Sequence, residues 1–143
     1  MKTSEAFRVR PADWETDKAA LRAIREQVFV REQSVPLELE WDEFDSVSRH
    51  LLAEGEGQAI GTGRLLPDGH IGRMAVLPAW RDKGVGSALL QVLLAMAHDA
   101  GHERAILSAQ VRAKAFYQRF GFEPEGVEFP EAGIPHITMT RRL

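Results

Sequence analysis

The chain has 143 residues and a mass of 16.0 kDa, the size of one domain, and 44% apolar against 27% charged residues spread along its length lead us to expect a single domain over 1–143. With no cysteine, a disulfide framework, a zinc–thiolate site, an iron–sulfur cluster and a cysteine nucleophile are excluded. A net charge of -3 gives no general attraction to nucleic acid or anionic lipid, no apolar run is long enough for a membrane span, and charged residues stand near the start where a signal peptide has its apolar core, so a cytoplasmic protein acting on small molecules is expected.

Phe7-Arg8-Val9-Arg10 alternates apolar and charged side chains as a half-exposed strand does, and Pro11-Ala12-Asp13 ends it, with Asp13 a good N-cap. Leu21, Ile24 and Val28 fall on one helical stripe, which predicts a helix ending near Val30 or Arg31. The pattern then blurs into turns and loop around Pro36, Trp41, Phe44 and the acids Glu38, Glu40, Asp42, Glu43 and Asp45. Strands are expected over 50–54 and 58–66, joined by Gly55-Glu56-Gly57, and over 70–77 after the turn Pro67-Asp68-Gly69. The apolar stretch 87–100 reads as a buried helix capped by Gly101, 104–109 as a strand, and 111–120 as a helix closed by Gly121. Segments 122–129 and 136–140 read as the last strands, joined by Pro130-Glu131-Ala132-Gly133-Ile134-Pro135.

The most informative stretch runs from Met74 to Ser87: a strand, a turn with Gly84 and Gly86, and the start of the long helix. The first amides of a helix lack intrahelical acceptors and its dipole is positive there, so phosphate oxygens are well received near 84–87, with Arg81 and Lys83 adding charge. An ordinary β–α turn with glycines shows the same local pattern, so this alone does not decide. The P-loop signature is absent, and a dinucleotide fingerprint would place Leu89 where a small residue is required. His98 and His102 have helical spacing, but Gly101 intervenes and no third ligand accompanies them, so no metal is expected. Trp14, Trp41 and Trp80 come without a basic stripe, which favours core edges or an interface over stacked bases.

What remains, Arg81, Gly84 and Gly86 in the pattern R-x-x-G-x-G after a strand, resembles the acyl-CoA pyrophosphate signature of the GNAT acetyltransferase superfamily. Gln110, Ala113, Phe116, Tyr117, Gly121 and Phe122 are similar to that family's downstream N-x-x-A-x-x-F-Y and G-F, with Gln110 where asparagine is frequent. Val28-Phe29-Val30-Arg31-Glu32-Gln33, Asp42, Asp45, His50-Leu51 and Ile134-Pro135-His136-Ile137-Thr138-Met139 look like its ElaA-like branch, so the resemblance covers about residues 8 to 140. It implies an α/β GNAT acyl-CoA N-acyltransferase fold with a mixed, mostly antiparallel central sheet flanked by helices. The implied activity is acetyl-CoA-dependent N-acetylation, by direct transfer to an amine of a small molecule or peptide. Acetyl-CoA would be the cosubstrate, with no metal, nucleic acid or membrane partner and with a homodimer left open. A non-catalytic acyl-CoA-binding sensor is the alternative.

The same resemblance implies site residues. Backbone groups of Met74, Ala75 and Val76 would meet the pantetheine arm and the thioester oxygen. Arg81, Asp82, Lys83, Gly84, Val85, Gly86 and Ser87 would receive the pyrophosphate, with Gln110, Phe116 and Tyr117 along the arm. Tyr117 is the implied general acid, since a phenol of pKa about 10 stays protonated at neutral pH. Glu32 and His136 lead the candidates for the base or acceptor side, ahead of Glu40, Asp42, Asp45 and His50. The acids over 38–45 either draw a cationic acceptor or form a solvated face.

Overall fold

A computed structural model describes residues 6–36 and 42–143. Strand β1 (Phe7–Ala12) leads to α1 (Trp14–Arg25), capped by the Asp13 carboxylate, which accepts from the Glu15 and Thr16 amides at 2.7 and 3.2 Å. Strands β2 (Arg49–Gly55), β3 (Gln58–Leu65) and β4 (Ile71–Val76) follow, then α2 (Val85–Asp99), β5 (Arg104–Gln110), the short α3 (Lys114–Gln118), β6 (Glu123–Glu131) and β7 (Ile134–Arg142).

The strands make two antiparallel sheets, β1-β2-β3-β4 and β5-β7-β6. Their one parallel contact among the described residues is the bridge between His70 and Ile106, with the Ile106 amide donating to the Gly69 carbonyl at 3.2 Å. Beyond that bridge β4 pairs only with β3 and β5 only with β7, so the two sheets part and leave an opening between these strands. A bulge helps to turn β4 away: Thr62 faces Ala75 and Arg64 faces Gly72, so Arg73 and Met74 together oppose Gly63, and Arg73 takes φ 50.

Helix α2 lies on one face of the first sheet. Leu89, Leu90 and Leu93 are fully buried with Leu51, Ile60, Leu107 and Met139, so one core spans both sheets. Helix α1 covers the opposite face, where Leu21, Ile24 and Val28 pack on Leu52 and Ala75. Apolar side chains on both helix-facing sides explain why β2 and β3 are buried along nearly their whole length.

Three expectations need correction. The α-helix expected to reach Val30 ends at Arg25, and 26–32 form a wider π-helical segment, with the Gln33 amide bonding the Val28 carbonyl five residues back. The helix expected over 111–120 splits into a 3₁₀ turn, Val111–Ala113, and α3. The connection expected over 130–135 is a hairpin, with β6 and β7 joined by Ala132 and Gly133, both at positive φ (52 and 78°). Pro130 and Pro135 stand opposite one another beside the closing pair, where the amide points away from the partner strand and a proline sacrifices no ladder bond.

Candidate active site

The opening between β4 and β5 is bordered on its α2 side by the turn at 81–87. Gly84 ends that turn at φ 86, with open space around its Cβ position, and no side chain caps α2. The first bond of the helix runs from the Ala88 amide to the Gly84 carbonyl at 3.0 Å, which leaves the amides of Val85, Gly86 and Ser87 without intrahelical acceptors. A Cβ on Gly86 would stand 3.7 Å from the Phe116 ring and 4.0 Å from Val76, so any larger side chain there would grow into the wall of the opening. These donors and the missing cap suit a pyrophosphate, and Gly86 supplies the close approach such a group needs. Trp80 is buried ahead of the turn and lies on Gly55, where a Cβ would come within 2.6 Å of its ring.

Tyr117 reaches the same opening from α3. The end of α3 is a Schellman motif: the Phe122 amide bonds the Tyr117 carbonyl, the Gly121 amide bonds the Gln118 carbonyl, and Gly121 sits at φ 85. The accompanying apolar contact is between Tyr117 and the buried Phe122, ring centroids 6.0 Å apart. The tyrosine is thereby fixed by the glycine and phenylalanine that follow it. Its hydroxyl points at the Met74 sulfur, 3.9 Å away, and burial pushes the phenol up to about 12. Met74, Val76, Gly86, Phe116 and Tyr117 thus converge on one side of the split, whereas Ala75 turns its side chain to the α1 face. Asp82 and Lys83 are exposed on the outer rim of the turn, and Val85 is buried in the core, so its part in the site is limited to its backbone.

The acceptor-side candidates are more dispersed. Glu32 is held by Arg81, whose guanidinium donates two bonds of 2.7 Å to its carboxylate, while the Arg81 Nε–H bonds the Val76 carbonyl at 2.9 Å. Hydrogen bonding from Arg81 lowers the carboxyl below its ordinary range, which makes Glu32 a poor proton acceptor. His136 is buried on β7 opposite Gln110, stacked on Phe129. Its Nδ1 lies 2.7 Å from the Ile134 carbonyl and so carries the proton, leaving Nε2 as the basic nitrogen, 3.7 Å from Glu131.

His50 is buried beneath Trp14 and donates from Nε2 to the Asp45 carbonyl at 2.8 Å; burial lowers its pKa. Asp45 is not a loop acid but a core one, accepting two bonds from the buried Arg25 (2.9 and 3.1 Å) and one from Arg64 (2.8 Å). Asp42 takes two bonds of 2.8 Å from Arg64 and one of 3.1 Å from Arg73. These two carboxylates are therefore engaged with arginines, an arrangement that neither reading of the acids over 38–45, a draw for a cationic acceptor or a solvated face, anticipates. Glu38, Glu40 and Trp41 lie outside the described residues.

Sequence reasoning missed two participants. Gln33 accepts from Gln110 at 2.8 Å, and Arg112 donates to the other end of Gln110 at 2.9 Å, so Gln110 faces the π segment. Nothing in single-sequence periodicity announces a bond between residues 77 positions apart. No group of three or more metal-ligating His, Asp or Glu side chains occurs among the described residues, and none of the described helices is long and apolar enough to cross a membrane.

A two-sheet fold whose sheets part beside the uncapped start of a long helix is the architecture of acyl-CoA N-acyltransferases, and comparison with known proteins agrees. Residues 13–143 match the family model of the acetyltransferase (GNAT) domain. The uncharacterized N-acetyltransferase YjcF of Bacillus subtilis is 38% identical over 122 residues, covering 82% of this chain and 87% of that protein. The crystal structure of an acyl-CoA N-acyltransferase from Pseudomonas aeruginosa superposes with a TM-score of 0.85 at 32% identity, over 95% of this chain and 99% of that one. Escherichia coli ElaA superposes with a TM-score of 0.84 at 30% identity, over 94% and 99%. The chain belongs to the GNAT acetyltransferase family, in its ElaA-like branch.

Proposed function

We propose that the protein transfers an acetyl group from acetyl-CoA directly to an amine of a small molecule or peptide, in the cytoplasm. The observation that carries this reading is the convergence of the uncapped α2 turn, the parted strands and the Tyr117 hydroxyl on one opening. The amides of Val85, Gly86 and Ser87 would receive the pyrophosphate, and the backbone of Met74 and Val76 would pair with the pantetheine amides as an added strand does. Val76 keeps one carbonyl lone pair for this, since Arg81 uses the other.

A thioester supplies an activated acetyl group, so the residues of this chain need only orient it, donate to its oxygen and handle two protons. An amide near Ala75 or Val76 is the donor for the carbonyl oxygen. Tyr117, protonated across the working pH range, donates to the departing sulfur. Nε2 of His136 takes one proton from the acceptor ammonium, directly or through water, so that the neutral amine attacks, because the rival Glu32 is bound to Arg81; the second proton, shed by nitrogen as the C–S bond breaks, replaces the one Tyr117 gives the sulfur.

A thiol-release assay over a panel of amines and short peptides, with mass spectrometry of the products, tests the reading. The expected result is acetylation of at least one amine, abolished by Gly86→Glu. Tight acetyl-CoA binding with no thiol released for any amine would establish a sensor instead.

A further inference from the structure

We infer that Glu32 and Gln33 form a clasp across the mouth of the split sheet and set the width of the slot between β4 and β5. The inference rests on the reading of that slot as the acetyl-CoA site. Two adjacent residues at the end of the π segment reach opposite arms of the opening. Glu32 grips Arg81 through two bonds of 2.7 Å, and Arg81 is fastened to the carbonyl of Val76, the last residue of β4, at 2.9 Å. Gln33 accepts at 2.8 Å from Gln110, the last residue of β5. Arg112 closes the circuit: it bonds Gln110 at 2.9 Å and attracts the Glu32 carboxylate.

The physical need for a clasp follows from the topology. Val76 belongs to one hydrogen-bonded ladder and Gln110 to another, and among the described residues the backbones of the two ladders pair only at His70 and Ile106, near the closed end. Neither ladder fixes the distance between the two free ends. The π segment does, since its i→i−5 turn ends the α1 helix with Val28 still buried on the core and residues 32 and 33 carried over the mouth. Glu32 and Gln33 are then positioning residues: they hold the slot open to the width an extended pantetheine arm requires, without touching the reacting atoms. The Glu32–Arg81 pair is more than a third exposed and adds little to global stability, so its loss should be read in binding rather than in unfolding.

Calorimetry with acetyl-CoA separates this from the alternatives, using the full chain and variants Glu32→Gln, Gln33→Ala, Arg81→Met and the Glu32→Gln/Arg81→Met pair. Glu32→Gln and Gln33→Ala should each weaken acetyl-CoA binding roughly three- to tenfold, with unchanged urea midpoints. The Glu32→Gln effect should vanish in the Arg81→Met background, and Glu32→Asp should recover part of the affinity. The low-pH limb of the rate profile should survive in Glu32→Gln. Unchanged or tighter binding in Glu32→Gln would overturn the clasp, the latter showing a carboxylate that merely competes with phosphate for Arg81. Loss of the low-pH limb would also overturn it, in favour of a base. Should Glu32→Gln fail to fold, Gln33→Ala decides alone. No acetyl-CoA binding by the unaltered protein would remove the cosubstrate reading and the clasp together, whereas normal binding by protein and variants alike would remove only the clasp.

Discussion

Tyr117 owes its position to two neighbours in sequence and its persistent protonation to burial. A phenol held near 12 stays protonated across the neutral range and is available to donate to the sulfur as the C–S bond breaks. Tyr117→Phe should keep acetyl-CoA affinity and lower kcat by roughly 10²–10⁴-fold, the cost of losing a positioned acid. A near-normal kcat in a chemistry-limited assay would show that another group or water protonates the sulfur. The same pH series with His136→Gln should lose the low-pH limb. A variant that retains the limb but unfolds more readily would leave His136 a purely structural residue on β7.

At the scale of elements, legibility followed local physics. The Asp13 cap, the Gly55–Gly57 turn and the two-glycine entry to α2 were readable because each is settled by a few adjacent residues. The closure of α3 at Gly121 was readable for the same reason, whereas Tyr117 was singled out by the family resemblance. The π segment was not, because Val28 fits the buried stripe of an α-helix and of a π turn equally well, and only the tertiary bonds of Glu32 and Gln33 distinguish them. The β6–β7 hairpin was hidden by its two prolines, which look like strand breakers until their facing, unladdered position is known. The acids at 42 and 45 were read as surface charge since their arginine partners, 19 to 31 residues away, leave no periodic trace. The residues of the turn into α2 are therefore legible in the sequence, whereas the hydrogen bonds of Glu32, Gln33, Asp42 and Asp45 are seen only in the fold.

Over the whole molecule, the buried arginine–aspartate network ties α1 to the first sheet, and its loss should be a stability effect. Asp45→Ala leaves Arg25 and Arg64 buried without their shared counter-charge and should cost about 3–5 kcal/mol in urea unfolding. Acid should weaken the same region in two stages. Burial lowers the His50 pKa from 6.5, so its contribution is present above pH 6.5 and is lost as pH falls below it, when the unfolded chain binds a proton that the folded one refuses. The Arg64 hydrogen bond, ahead of charge attraction, lowers Asp42 from 3.8 to about 2, so its contribution is present above pH 3.8 and is lost between there and about 2. Urea midpoints measured against pH should begin to fall just below 6.5, and His50→Gln should flatten that first decline while leaving the second. A flat profile between pH 7 and 5 would contradict the assignment.

The proposed reaction requires acetyl-CoA to lie in the opening between β4 and β5 with its phosphates on the α2 turn. Amide NMR of the labelled protein titrated with acetyl-CoA tests it most directly. Shifts concentrated at 74–76, 84–87 and 110–117 are expected, with the Gly86 amide among the most perturbed. Saturable binding whose shifts cluster elsewhere, with the amides of 84–87 unmoved, would contradict it.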